Sequence, residues 1–491
     1  MRRLGVFPAL LAALVLSGGC LLGPDYRRPA FETPERHRDE RPEGRAQAAA
    51  AAASLADRPW WEIFGDEALG SLIDEALRNN FDARVAAWRV EEYRARAGVV
   101  RADLYPQARY QGQVVHGRQS DLVSGDTNGP TGTVVTVNAA LSWEIDLWGR
   151  VRRLSESALA QYLATEEARR AVMLSVVSQV ATAYFQLREL DERLEIARRT
   201  TEAFQGTYDL FDRRLSGGVA SGLEVARAEA ALGSASAQIP DLERQIVAQE
   251  NLLSFLLGRN PGPIPRGAAL TEQPIPVDVP SGLPSALLER RPDVRQSEAL
   301  LVAANANVGA AIADFFPSIS LTGAFGGVSA DVGELFGGNR AWSVAANLAG
   351  PIFQAGRLRN RYRVNRALYE EALVQYESAV RNAFGEVSTA LVAHARLAEV
   401  EVRQKRSVAA YREAVRLANI RYTSGLSSYV EFLDAQQQLF PTEIALAQTR
   451  SARLTNLVTL YRALGGGWNV QDPTWARPAA SPPAAAVRPE R

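Results

Sequence analysis

The chain has 491 residues, no formal net charge and 47% hydrophobic residues, enough apolar content for a large core. Neutrality argues against a nucleic-acid binder, and a sole lysine, Lys405, rules out the Gly-Lys-Ser/Thr of a Walker-type phosphate loop. Three separated histidines (His37, His116, His394) and one cysteine argue against a structural zinc site.

The N-terminus carries Arg2 and Arg3, an apolar run from Leu10 to Leu16, and then Ser17-Gly18-Gly19. This is the layout of a secretory signal, and the run is too short to span a bilayer as a helix. Cys20 follows directly, as in bacterial lipoprotein signals. There the cysteine becomes the first mature residue and carries an N-terminal acyl chain and a diacylglycerol lipid. Ser17 stands where such signals usually have Leu, with Leu16 one place further back. The alternative is an ordinary signal peptide with an incidental cysteine. Lipidation is favoured because the only Cys sits where it would be processed. No other cofactor is expected. Leu21 after the Cys suggests sorting to the outer membrane.

Segment 1–19 is thus read as a signal peptide, and 20–59 as a lipid-anchored extension with an alanine-rich linker at Ala46–Ala56. From Asp66 to Arg101 the apolar residues Leu69, Leu72, Ile73, Leu77 and Val85 keep helical spacing, and Pro106 stops the run. Arg109–His116 and Val134–Ile145 alternate like strands around the turn-rich loop Ser124–Pro130. No proline then occurs from Thr131 to Ile239. Within that stretch Phe204, Tyr208, Phe211 and Leu215 form a coiled-coil-like seam. A continuous helix from Arg150 to Leu215 would be on the order of 100 Å long. It ends at Gly217-Gly218, after which a second helical run returns.

The pattern then repeats. Arg290-Arg-Pro-Asp-Val294 starts a helix, with Pro292 near its first turn. Ser318–Phe325 and Ala341–Leu348 are strand-like and flank a Gly-rich loop near Gly333 to Gly338. A second proline-free stretch, Ile352 to Phe440, carries the seam Val408, Tyr411, Val415, Ala418 and Tyr422, ends at Gly425 and turns back. The landmarks superpose. Arg213–Leu232 lies over Ile420–Leu439, Asp103-Leu-Tyr-Pro106 over Asp314-Phe-Phe-Pro317, and Leu141–Arg150 over Leu348–Arg357. The mature chain is therefore one architecture made twice. The first repeat is 60–270, with strands at about 107–146. The second is 271–470, with strands at about 317–352, and a Pro/Ala-rich tail occupies 471–491.

Two strand pairs cannot close a barrel, and isolated hairpins are barely stable in water. Phe325, Trp342, Val344 and Leu348 make the second pair apolar enough to face lipid. Membrane strands must form a closed ring, and the smallest rings hold about eight strands. Several copies must then share one barrel.

The residues resemble the TolC-like outer-membrane factors, specifically the OprM/NodT-type efflux lipoproteins. The resemblance rests on Cys20-Leu-Leu-Gly-Pro-Asp-Tyr-Arg-Arg-Pro29, Trp60-Trp-Glu-Ile-Phe-Gly-Asp66, the two Asp-aromatic-Pro segments and Arg290-Arg-Pro-Asp-Val294. It implies an α+β membrane protein: a homotrimer with one twelve-stranded transmembrane β-barrel, four strands per chain, continued by a long periplasmic α-helical barrel. It also implies the exit duct of a tripartite efflux pump, set in outer-membrane lipid. Its partners would be a periplasmic membrane-fusion adaptor and an inner-membrane RND transporter, with no nucleic acid. An outer-membrane duct for type I protein secretion and a lipid-anchored coiled-coil structural protein are the alternatives. An enzyme is not expected, since no nucleophile–base pair or cofactor motif stands out.

Under this resemblance Glu431 and Asp434, three apart on one helix face, belong to a gated periplasmic aperture. The matching first-repeat positions are Glu224 and Arg227, and Arg227 is a candidate partner for a gating bond. The turns Gly218-Val219-Ala220-Ser221 and Gly425-Leu426-Ser427-Ser428 would be the adaptor-docking tips. Trp60 and Trp61 would pack near the middle of the tunnel. Asp103 and Asp314 would mark the passage from helix to strand.

Overall fold

Each proline-free run folds into a single helix of 67 residues in the computed structural model. The structure describes residues 20–32, 63–118, 131–276, 287–331, 333, 335 and 340–466. The signal segment, the alanine-rich linker, Trp60, Trp61, the Ser124–Pro130 loop, the tail 471–491 and most of the Gly333–Gly338 loop lie outside them.

Within the described residues the first half runs α1 (Glu67–Asn79), α2 (Phe81–Ala102), β1 (Gln107–Arg118), β2 (Thr131–Ile145), α3 (Arg150–Ser216), α4 (Gly222–Ser236) and α5 (Gln238–Leu256). The second runs α6 (Leu287–Arg290), α7 (Pro292–Ala313), β3 (Ser318–Ser329), β4 (Arg340–Ala349), α8 (Arg357–Thr423) and α9 (Tyr429–Ala463). Asp103 and Asp314 stand where α2 and α7 give way to β1 and β3.

The stretch expected as one helix from Asp66 to Arg101 is two. Asn80 breaks it, because its Oδ1 accepts from the backbone N–H of Asp82 and Ala83 and starts α2 anew. Its Nδ2 is held by the Leu256 carbonyl at 2.8 Å. None of this local bonding disturbs the apolar spacing, so the break was invisible to periodicity.

The chain divides into two compact units, Met1–Ala30 with Arg89–Glu166 and Gln296–Glu377, and Phe31–Trp88 with Glu167–Arg295 and Ser378–Arg491. Each draws on both halves of the duplication. The first unit contains one antiparallel sheet in the order β1-β2-β3-β4. The two expected strand pairs are joined through β2 and β3, with Ala139 opposite Phe325 and Leu141 opposite Gly323. Residues paired across antiparallel strands share a face, so the register sorts the side chains. Tyr110, Val114, Val137, Leu141, Trp143, Leu321, Phe325, Trp342, Val344 and Leu348 fall on one face. Gln111, Gln113, Thr136, Asn138, Ser142, Ser320, Thr322, Ser343 and Asn347 fall on the other.

Much of the apolar face is exposed, although Val135 on it is buried. Tyr110 is 91% exposed, Trp342 76% and Val344 77%. No helix among the described residues is long and apolar enough to cross a membrane.

An extended arm, residues 20–32, runs along this unit. The Leu22 N–H donates to the Trp148 carbonyl at 3.2 Å. Arg153, 1% exposed, donates to the carbonyls of Leu22 and Gly23 and to Asp25. Asn305 donates to the Pro24 carbonyl, while Tyr26 and Arg28 both bond Glu298. Gly23 is required here. Its φ is +92°, and an added Cβ would lie 2.4 Å from the Gly309 Cα.

The second unit holds the main core: Leu69, Leu72 and Ile73 of α1 against Val180, Tyr184 and Phe185 of α3, and Leu457, Leu460 and Tyr461 of α9. Each such side chain contributes about 2 kcal/mol by leaving water. Asp66 caps α1 from inside this core. Its Oδ1 accepts from the N–H of Ala68 and Leu69, and its Oδ2 from Tyr184 at 3.0 Å and Gln273 at 2.6 Å. Arg291, just before Pro292, pairs with Asp293 in the first turn of α7 and also reaches Glu386 of α8 and the carbonyl of Ala463.

Candidate functional site

The far ends of the long helices, all in the second unit, carry the aperture and docking candidates. Both ends use the same stop. The Gly218 N–H donates to the Leu215 carbonyl and that of Val219 to Arg214; the matching bonds run from Gly425 to Tyr422 and from Leu426 to Arg421. These are Schellman-type closures, with φ of +74° at Gly218 and +71° at Gly425. They leave Val219 and Leu426 as apolar knobs, 76% and 72% exposed.

The two halves then diverge. Ser221 and Glu224 form a capping box: the Ser221 N–H donates to Glu224 at 2.8 Å, and the Glu224 N–H to the Ser221 hydroxyl. Ser428 starts α9 without a side-chain cap. The carboxylate of Glu431, placed like Glu224, is therefore not consumed by its own helix start. It is exposed and lies 3.8 Å from Arg421. Asp434 is exposed on the same face. Arg227 is exposed too, and no ion pair joins it to Glu431 among the described residues. The cation beside Glu431 within the chain is Arg421. The duplication held a signal for this, because arginine occupies both equivalent positions, 214 and 421.

An aromatic cluster beneath ties the two turns together. The rings of Phe211 and Tyr429 pack at a tilt with centroids 4.1 Å apart, and Tyr422 lies about 6 Å from each. Arg214 lies over the Tyr422 ring at 5.3 Å and donates to its hydroxyl. Phe204, Ala228, Ala231, Ala235 and Leu433 complete the cluster. The Tyr429 hydroxyl is buried with no hydrogen-bond partner among the described residues. Burial, helped by the nearby Tyr422 and Glu224, pushes its pKa up to about 12.

Burial likewise pushes Tyr184 up to about 12. The native state holds these two protons more tightly than the unfolded chain, whose tyrosines release theirs near pH ~10. Their contribution to stability is complete below about pH 10 and is lost as the pH climbs from about 10 to about 12. Alkaline titration of phenolate absorbance alongside helical content should show this loss, reduced in Tyr429→Phe.

No group of His, Cys, Asp or Glu among the described residues is arranged to hold a metal ion. Cys20, the other candidate, is exposed at the head of the arm, where its carbonyl is 3.5 Å from Arg152.

A family model described as outer membrane efflux protein matches residues 72–259 and 283–466. The chain is 38% identical over 470 residues to the toluene efflux pump outer membrane protein TtgC of Pseudomonas putida, covering 94% of this chain and 96% of that one. It is 36% identical over 459 residues to the cation efflux system protein CusC of Escherichia coli, covering 93% and 98%. The crystal structure of the open state of the Neisseria gonorrhoeae MtrE outer membrane channel superposes with a TM-score of 0.81 at 34% identity, over 91% of this chain and 98% of that one.

Proposed function

We infer that this chain, which belongs to the outer membrane efflux protein family, is the outer-membrane exit duct of an efflux pump, and that it works as a homotrimer around a single twelve-stranded barrel. The observation that carries the barrel is the sheet. One face is mostly apolar and largely exposed, the other carries most of the polar side chains, and β1 and β4 have no strand neighbour on their outer sides among the described residues. Lipid covers an apolar face of this kind, and only ring closure satisfies both edges inside a membrane. Pairing β4 of one copy with β1 of the next meets both needs, and three copies supply twelve strands. The polar faces then line a water-filled lumen through which drugs or other small toxic solutes pass without chemistry.

The energy comes from a partner, an inner-membrane transporter of the RND type joined through a periplasmic adaptor. The knobs Val219 and Leu426, with the small residues Ala220, Ser221, Ser427 and Ser428 beside them, form the adaptor-docking tips. Glu431 and Asp434 form stacked acidic rings at the periplasmic entrance. A host lacking its own duct, supplied with this chain and a matching adaptor and transporter, should regain dye extrusion. Unchanged dye accumulation despite full outer-membrane insertion would count against the duct.

Cys20 is the lipid-bearing first residue of the mature protein. This reading is supported by the arm, which the Arg153, Asn305 and Glu298 bonds hold against the sheet-bearing unit. Intact mass of the extracted protein should show acyl and diacylglycerol groups on Cys20, absent in Cys20→Ala. An unmodified thiol in the wild-type protein would rule lipidation out.

A further inference from the structure

Of the Arg and Glu residues in the described strands, only Arg109 and Glu144 hold positions on the polar face of the sheet. Arg109 lies opposite Ala140, Ala140 opposite Ala324, and Ala324 opposite Ser343. The rows on either side bring Ser142, Thr322 and Ala345, or Asn138, Gly326 and Ala341. The guanidinium thus rises from a floor of short, uncharged side chains.

No carboxylate answers this charge. Glu144 stands four residues along β2 from Ala140, about 13 Å away. It is already taken by Arg150, which donates to both of its oxygens, at 3.0 and 2.6 Å. Arg109 is exposed, and no ion pair joins it to an acid among the described residues. Ring closure does not change this. β1 then borders β4 of the next copy, whose polar-face positions are Ala341, Ser343, Ala345, Asn347 and Ala349. No register between those two strands brings a carboxylate alongside. Along β1 itself the nearest neighbours on that face are Gln107, Gln111 and Gln113. The Gln107 amide is tied to the carbonyls of Ala102 and Tyr105, whereas Gln111 and Gln113 are exposed.

We propose that Arg109 gives the bore of the barrel a preference for anions: three copies form a ring of guanidinium groups that attracts solutes bearing carboxylate, sulfonate or phosphate and hinders cations. The proposal rests on the twelve-stranded barrel, which makes the polar face the lumen. A guanidinium without a partner is costly in a packed core and costs little where water reaches it. Low-dielectric walls focus its field across the passage, and three such fields add. Its planar fork also fits an oxyanion through two parallel N–H bonds. Gln111 and Gln113, next along the strand, offer amide donors to the same solute. The duct then carries charge of both signs in series, acidic at the entrance and basic in the barrel.

The test places a thiol by Gln111→Cys, two residues from Arg109 on the same face, in the full-length protein in isolated outer membranes. Two methanethiosulfonates of similar size are applied, one ending in a sulfonate and one in a trimethylammonium group, and their rates of modification are compared. Labelling of the protein without the substitution sets the background from Cys20. The ratio of anionic to cationic rates is expected to fall about threefold or more on Arg109→Gln at about 0.1 M salt, and the difference should fade at about 1 M. Arg109→Lys, which keeps the charge, should keep the ratio. An equal ratio with Arg109 and with Arg109→Gln overturns the proposal and leaves the barrel standing. So does a ratio that falls as far in Arg109→Lys as in Arg109→Gln, since charge would then not be the cause. Failure of both reagents to modify Gln111→Cys in every background defeats the lumenal reading of the polar face, and the proposal with it.

Discussion

Asp66→Ala is expected to cost about 3 kcal/mol of folding stability, among the larger effects a single substitution can have. The carboxylate does two things. As N-cap of α1 it satisfies the N–H groups of Ala68 and Leu69, a role worth about 1 kcal/mol. It is also the acceptor for Tyr184 and Gln273, and removing it leaves two buried donors without that partner, at about 1 kcal/mol or more each. Gly267 lies against the same carboxylate, so near that an added Cβ would come within 2.2 Å of Asp66 Oδ1. Thermal melting of the extracted protein measures the effect. Tyr184→Phe should recover part of the loss in the Asp66→Ala background, since it deletes one of the stranded donors. Additive losses in that double variant would show that the two residues act independently.

Neutralising the entrance should have the largest effect on transport. Glu431 and Asp434 put two carboxylates per copy on one exposed face, and the aromatic cluster beneath them fixes that face in place. Three copies would set six carboxylates around one mouth, where focused negative potential admits cations and repels anions. Glu431→Gln/Asp434→Asn is therefore expected to abolish cation selectivity in planar bilayers and to raise conductance several-fold, on the order of what one kcal/mol of lost closing energy gives. Arg421→Gln removes the cation beside Glu431 and should raise conductance without lowering selectivity. Unchanged reversal potentials in the double variant would mean that the two carboxylates face away from the lumen.

Much of this was legible in the sequence because the dominant signals are long or periodic. Two proline-free stretches, each holding a glycine that must take a positive φ, located the ends of α3 and α8 and both turns to within a residue or two. Alternation located the four strands, since one face of the sheet is mostly apolar. The duplication paired the halves and hence the turns, Ser221 with Ser428 and Glu224 with Glu431. Features that depend on who meets whom were hidden. The Asn80 break rests on a side chain bonding its own backbone. The pairing of Glu431 with Arg421 reflects how α9 lies on α8. The Arg153 clasp of the arm and the ion pair of Glu443 with Arg199 join residues separated by more than a hundred and two hundred positions, respectively, which no local pattern reports.

The number of copies in the particle extracted from outer membranes, read by electron microscopy and native mass, bears most directly on the duct. A three-fold particle with one closed ring of twelve strands, β4 of each copy bonded to β1 of the next, is the expected result. A monomer with both sheet edges free, or a rod without a lumen, would contradict it.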